Sequence, residues 1–139
     1  MSRDPIEALA RIERHALDRA RQTLGAIVTR GEALEADLVR LQAARSREGV
    51  APGADPVLLA RYIDRSRARE RALSQALAAI EAERQAQAER LTEQRGAVRR
   101  LEILVERRTI RAAYQRDRRE QRALEDLVLA RRCREPVDR

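Results

Sequence analysis

Gly49-Val50-Ala51-Pro52-Gly53-Ala54-Asp55-Pro56 holds two of the chain's four prolines and two of its five glycines. It is the one dense cluster of helix breakers in 139 residues, and its reading decides the fold. Proline has no amide proton to donate, and glycine costs about 1 kcal/mol in a helix interior, so a helix stops here. Asp55-Pro56 then opens another: the aspartate caps free amides of the first turn and proline suits the first helical position. Asp4-Pro5, with Glu7 three residues after the cap, carries the same signature. No proline lies between Pro5 and Pro52, or between Pro56 and Pro136. The expectation is one domain with helices over about 5–48 and about 56–132. A loop over 49–55 joins them and a short tail follows from 133 to 139.

A seam stepping by four and three residues runs along the first stretch. It reads Ile6, Ala10, Glu13, Leu17, Ala20, Leu24, Ile27, Gly31, Leu34, Leu38, Leu41 and Arg45. Nine of the twelve are apolar, the pattern of a helix packed along one stripe. The second stretch reads Leu59, Ile63, Ser66, Glu70, Leu73, Leu77, Ile80, Arg84, Gln87, Leu91, Gln94, Val98, Leu101 and Val105. Nine of its fourteen are apolar, with polar members in the middle. Two such helices on a short loop predict an all-α, antiparallel coiled-coil hairpin.

Composition agrees. Leu, Ile and Val number 16, 7 and 8, while alanine, the strongest helix former, supplies 25 residues. Two tyrosines are the only aromatics, too few for an ordinary globular core. All 30 basic residues are arginine, set against 23 acids for a net charge of +7. That balance favours an acidic partner, although arginines that only solvate helix faces give the same count.

The helices differ in length. A bend near residue 52 sets Ile6 against the region of Val98 and leaves everything beyond about residue 102 without a mate in the chain. Some 30 residues of helix then project by roughly 45 Å, carrying Ile103, Leu104, Ile110, Tyr114, Leu124, Leu127, Val128 and Leu129. An isolated helix of that length is marginal in water, and exposed apolar residues on it ask for a partner.

Other chemistries lack their residues. The single histidine, His15, stands by the first seam without a second histidine or a cysteine nearby, so a metal site is not expected. No phosphate-binding glycine loop, nucleophile elbow or zinc-protease motif occurs, and Cys133 has no catalytic base beside it. Neither an enzyme nor a cofactor is expected. Nucleic acid is disfavoured because base stacking needs aromatics among the arginines. Residues 95–122 also interleave ten arginines with Glu102, Glu106, Asp117 and Glu120. The opening residues, with Arg3, Asp4, Glu7 and Arg11, form no apolar signal stretch, and no run reaches the roughly 18 apolar residues of a membrane helix. The expectation is a cytoplasmic protein that meets a membrane only through partners.

Three segments carry a resemblance. They are Leu58-Leu59-Ala60-Arg61-Tyr62-Ile63-Asp64 after the loop, Leu101-Glu102-Ile103-Leu104-Val105-Glu106-Arg107-Arg108 leading into Ala112-Ala113-Tyr114, and Glu120-Gln121-Arg122-Ala123-Leu124-Glu125-Asp126-Leu127. Together with the unequal hairpin they resemble the FliJ family of flagellar type III export proteins. Ser66, where a leucine would be expected, and the lack of tyrosines near Ala44 and Glu48 depart from that family. The stalk proteins of virulence secretion systems share the hairpin, and a generic coiled-coil adaptor or a homodimer remains an alternative.

The resemblance implies a non-catalytic, stalk-like coupler. Its paired ends would enter the ring of a hexameric export ATPase and promote ring assembly and ATP hydrolysis, while its tip would face the membrane export gate and it would also contact export chaperones. Ring-binding residues would be Ile103, Leu104, Arg107, Arg108, Ile110, Arg111, Tyr114, Leu124, Leu127 and Val128. Gate-binding residues would be Tyr62, Arg61, Arg65 and Arg69, in a stretch that also holds Arg67 and Arg71.

Overall fold

A computed structural model of the protein describes residues 4–49 and 53–134. It is all-helical: α1, Pro5–Glu48, and α2, Pro56–Arg134, pack against each other. Residues 50–52 of the expected loop and 135–139 of the expected tail lie outside the described residues. α2 runs two residues past its expected end near 132.

Both helices begin as their first residues dictate. The Ile6 amide donates to Asp4 Oδ1 at 3.0 Å, and the Val57 amide donates to Asp55 Oδ1 at 2.9 Å. Each cap satisfies an amide that the helix itself leaves unpaired. Gly53 takes φ 86°, a left-handed conformation that a side chain would strain.

Two compact units divide the chain, Arg14–Gly96 and Met1–Glu13 with Ala97–Arg139. In the first, Leu17, Ala20 and Ile27 of α1 and Leu91 of α2 are buried. In the second, Ala10 and Val98 are buried. All six belong to the seams. Every seam position of α1 is buried or half-buried, including all of Leu17, Leu24, Ile27, Leu34, Leu38 and Leu41. In α2 the same holds for every seam position except Arg84; Ile63, Leu73, Leu77 and Ile80 are half-buried.

Polar contacts give the register. Within Arg14–Gly96, Arg45 pairs with Glu70, Gln42 Nε2 donates to Glu70 Oε1 at 2.9 Å, and Arg30 meets Glu83 at 2.9 Å. Gln87 Nε2 donates to the Ala20 carbonyl at 3.3 Å. Falling numbers in α1 therefore meet rising numbers in α2. The pairing differs from the expected one. A bend at 52 would set Gln42 opposite Tyr62 and Arg30 opposite Ser74, whereas their partners stand about one heptad further along. The displacement is already present where the helices meet: Glu48, the last residue of α1, shares a hollow with Leu58, Leu59 and Tyr62. The opening of α2 overhangs the end of α1, leaving Val57 and Leu58 exposed, and later pairs are displaced with it.

Among the described residues Ser66 is the one buried polar residue, 4% exposed, and its hydroxyl has no hydrogen-bond partner there. A buried donor without an acceptor costs free energy, and serine is also a poorer helix former than alanine. Ser66→Ala should therefore raise stability by about 1 kcal/mol. Urea unfolding followed by circular dichroism measures this; a loss of stability would mean that the hydroxyl is satisfied in solution.

Candidate partner-binding surfaces

The distal part of α2 is the first surface. From Arg107 to Arg134 every side chain is exposed except the half-buried Ala113. Ile110, Tyr114, Leu124, Leu127, Val128 and Leu129 are each at least half exposed, Leu127 most of all at 65%. Leu124, Leu127, Val128 and Arg131 follow the spacing of one helix face and frame a shallow hollow. Arg118 lies 5.9 Å from the centroid of the Tyr114 ring and donates to its hydroxyl at 3.2 Å, which holds one arginine over the aromatic face.

Two expected ring contacts need correction. Arg108 donates to Asp4 Oδ1 at 3.0 Å, and Ile103 is half-buried, so pairing with α1 reaches residue 108 and does not end near 102. The heptad displacement is the cause. Leu104 is 46% exposed, and Arg107, Ile110, Arg111, Tyr114, Leu124, Leu127 and Val128 are exposed, so the uncovered segment runs from 109 to 134 with Arg107 and Leu104 at its edge.

The second surface lies near the start of α2, in the other compact unit. Arg61, Arg65 and Arg69 recur every fourth residue and are exposed, as are Arg67 and Arg71, while Tyr62 is half-buried. Like charges at this spacing repel mildly, by a few tenths of a kcal/mol per pair. Tyr62 is not a free aromatic platform: it shares its hollow with Glu48, Asp55, Leu58 and Leu59.

Between these, the electrostatics are those of solvated helix faces with one exception. Donation from the Gln42 amide and from the Arg45 guanidinium holds the Glu70 carboxyl below its usual value near 4.5. Arg84 does the same for Glu81, but only across one turn of a single helix. Glu70 reports on the contact between helices. A carboxyl depressed in the folded state adds stability above its unfolded pKa, and loses it as pH falls through the folded one. Stability should thus decline as pH is lowered below about 4.5, and Glu70→Gln should flatten part of that slope. Melting curves across this range check it; an unchanged slope would remove Glu70 from the contact.

One feature escaped the sequence reading. An open groove lies on Arg14–Gly96, walled by Ile27, Val28, Leu77 and Ile80 and edged by Glu32, Glu35, Glu81 and Arg84. Its signal was present in the seams, where Gly31 and Arg84 interrupt the apolar positions.

Among the described residues no group of three or more His, Cys, Asp or Glu could hold a metal ion, and no helix is long and apolar enough to cross a membrane. Cys133 is exposed. Comparison of the chain with protein-family models, with curated proteins and with solved structures gives no match.

Proposed function

We propose that the chain is an antiparallel coiled-coil hairpin acting as a non-enzymatic, cytoplasmic component of a flagellar type III protein export apparatus. It is a stalk-like coupler: the distal helix inserts into a hexameric export ATPase ring, promotes ring assembly and ATP hydrolysis, and links the ring to the export gate and to export chaperones. The observation that carries this reading is the 109–134 segment, a helix that keeps its leucines, its isoleucine and its arginines in water. Apolar side chains of that size are covered in most helices, and their exposure here along one face suits a contact made with another protein. The sparse anchors also suit a contact that changes as a ring turns over. Resemblance of the 58–64, 101–114 and 120–127 segments to the FliJ family names the partner.

The test is direct. Purified export ATPase should be captured by the chain and should hydrolyse ATP faster in its presence. Neither capture nor stimulation would end the proposal and return the chain to a coiled-coil adaptor.

A further inference from the structure

The groove on Arg14–Gly96 has a structural origin. Gly31 places no side chain opposite Ile80, whose Cγ2 would lie 3.4 Å from a Cβ at that position. Arg84, the one exposed seam residue, lies along the groove and is bonded to Glu81 at 2.8 and 2.5 Å. Two successive failures of the seam therefore leave Ile27, Val28, Leu77 and Ile80 lining an open apolar trough. Its edge is acidic. Glu32 and Glu35 are exposed and make no ion pair among the described residues, whereas Glu81 and Glu83 are taken by Arg84 and Arg30.

The same polypeptide carries the complement. Leu124, Leu127 and Val128 form a short exposed apolar face, followed within two turns by Arg131, Arg132 and Arg134, all exposed and without an ion pair among the described residues. An apolar trough with free carboxylates on its rim matches an apolar helix face with free guanidinium groups beside it. Arginine suits that role because its planar fork binds a carboxylate through two parallel bonds.

We propose that the groove is a docking site for the 124–134 helix of a second copy of this chain. Leu124, Leu127 and Val128 enter the trough, and the terminal arginines meet Glu32 and Glu35. Exchanged reciprocally between two copies, the contact closes on itself as a dimer. It covers the apolar end of α2 when no other partner does. This inference does not depend on the export-ATPase reading, and its test uses no ATPase.

The test is sedimentation equilibrium of the full chain, with reductant present so that Cys133 stays a thiol. At tens of micromolar and low salt the apparent mass should be about twice 15.9 kDa and should fall towards 15.9 kDa as salt rises. Glu32→Arg with Glu35→Arg should leave a monomer, and so should Arg131→Glu with Arg132→Glu and Arg134→Glu. All five sites are exposed, so the fold has no stake in them. Mixing the two charge-reversed chains should restore the doubled mass, because each groove then faces a helix of opposite sign. A wild-type chain that stays monomeric overturns the proposal. So does a dimer that survives groove reversal, which would mean that distal helices pair with each other, or a mixture that fails to associate.

Discussion

In high salt, where the chain is a single copy, a chain that ends at Arg108 should melt at the temperature of the full protein, and it should no longer stimulate an export ATPase. Residues 109–134 are exposed along their whole length apart from half-buried Ala113, so their removal takes away almost no packing. Substitutions at sites of this kind usually change stability by no more than about 0.5 kcal/mol. The cut must fall after Arg108 and not after Glu102. Removing Ile103 and Val105, both half-buried, and Arg108, which bonds Asp4, would strip contacts from α1. Thermal melts and ATPase assays on the same preparation decide the matter. A truncated chain that melts lower shows the distal segment to be part of the fold; one that still stimulates the enzyme places the active surface elsewhere.

Leu91→Ala should have the opposite profile. Leu91 is 6% exposed, one of six buried apolar residues among those described, and two of those six are alanines. Removing a buried leucine side chain costs the transfer of its methyl and methylene groups and leaves a void, about 3 kcal/mol in all. For a domain of this size that lowers the melting midpoint by roughly 10 °C. In high salt, where no second copy is bound, Leu124→Ala, at a site 63% exposed, should shift it hardly at all. Equal shifts for the two variants would mean that the buried stripe is not where stability resides.

The element ends were legible because their signals are local. Asp4-Pro5 and Asp55-Pro56 cap their helices as their chemistry requires, and the breaker cluster separates α1 at Glu48 from α2 at Pro56. The inward faces were legible too, since a seven-residue repeat picks one stripe of a helix. Which heptad meets which was not. Sliding one helix along the other by seven residues leaves the same side chains inward, so the repeat is blind to the displacement that brings Glu70 to Gln42 and Arg108 to Asp4. That choice is marked by polar contacts between the helices, which have no periodic signature. The same blindness put the start of the exposed segment several residues too early. The acid-rimmed groove was hidden for a different reason: a glycine and an arginine in a seam read as weak packing until the side chains around them are seen.

The heptad match also constrains how the chain can change length. Across the paired part, adding or losing one, two or five residues in one helix would turn its apolar stripe away from the other, whereas three or four come close to a whole turn and only overwind or unwind it locally. Length there is altered with least disturbance in whole repeats and in both helices together. Beyond Arg108 no such bookkeeping applies, as no stripe has to stay in phase with α1. Insertions and deletions can accumulate in the 109–134 helix without touching the rest of the molecule, and its reach is free to follow whatever it has to meet.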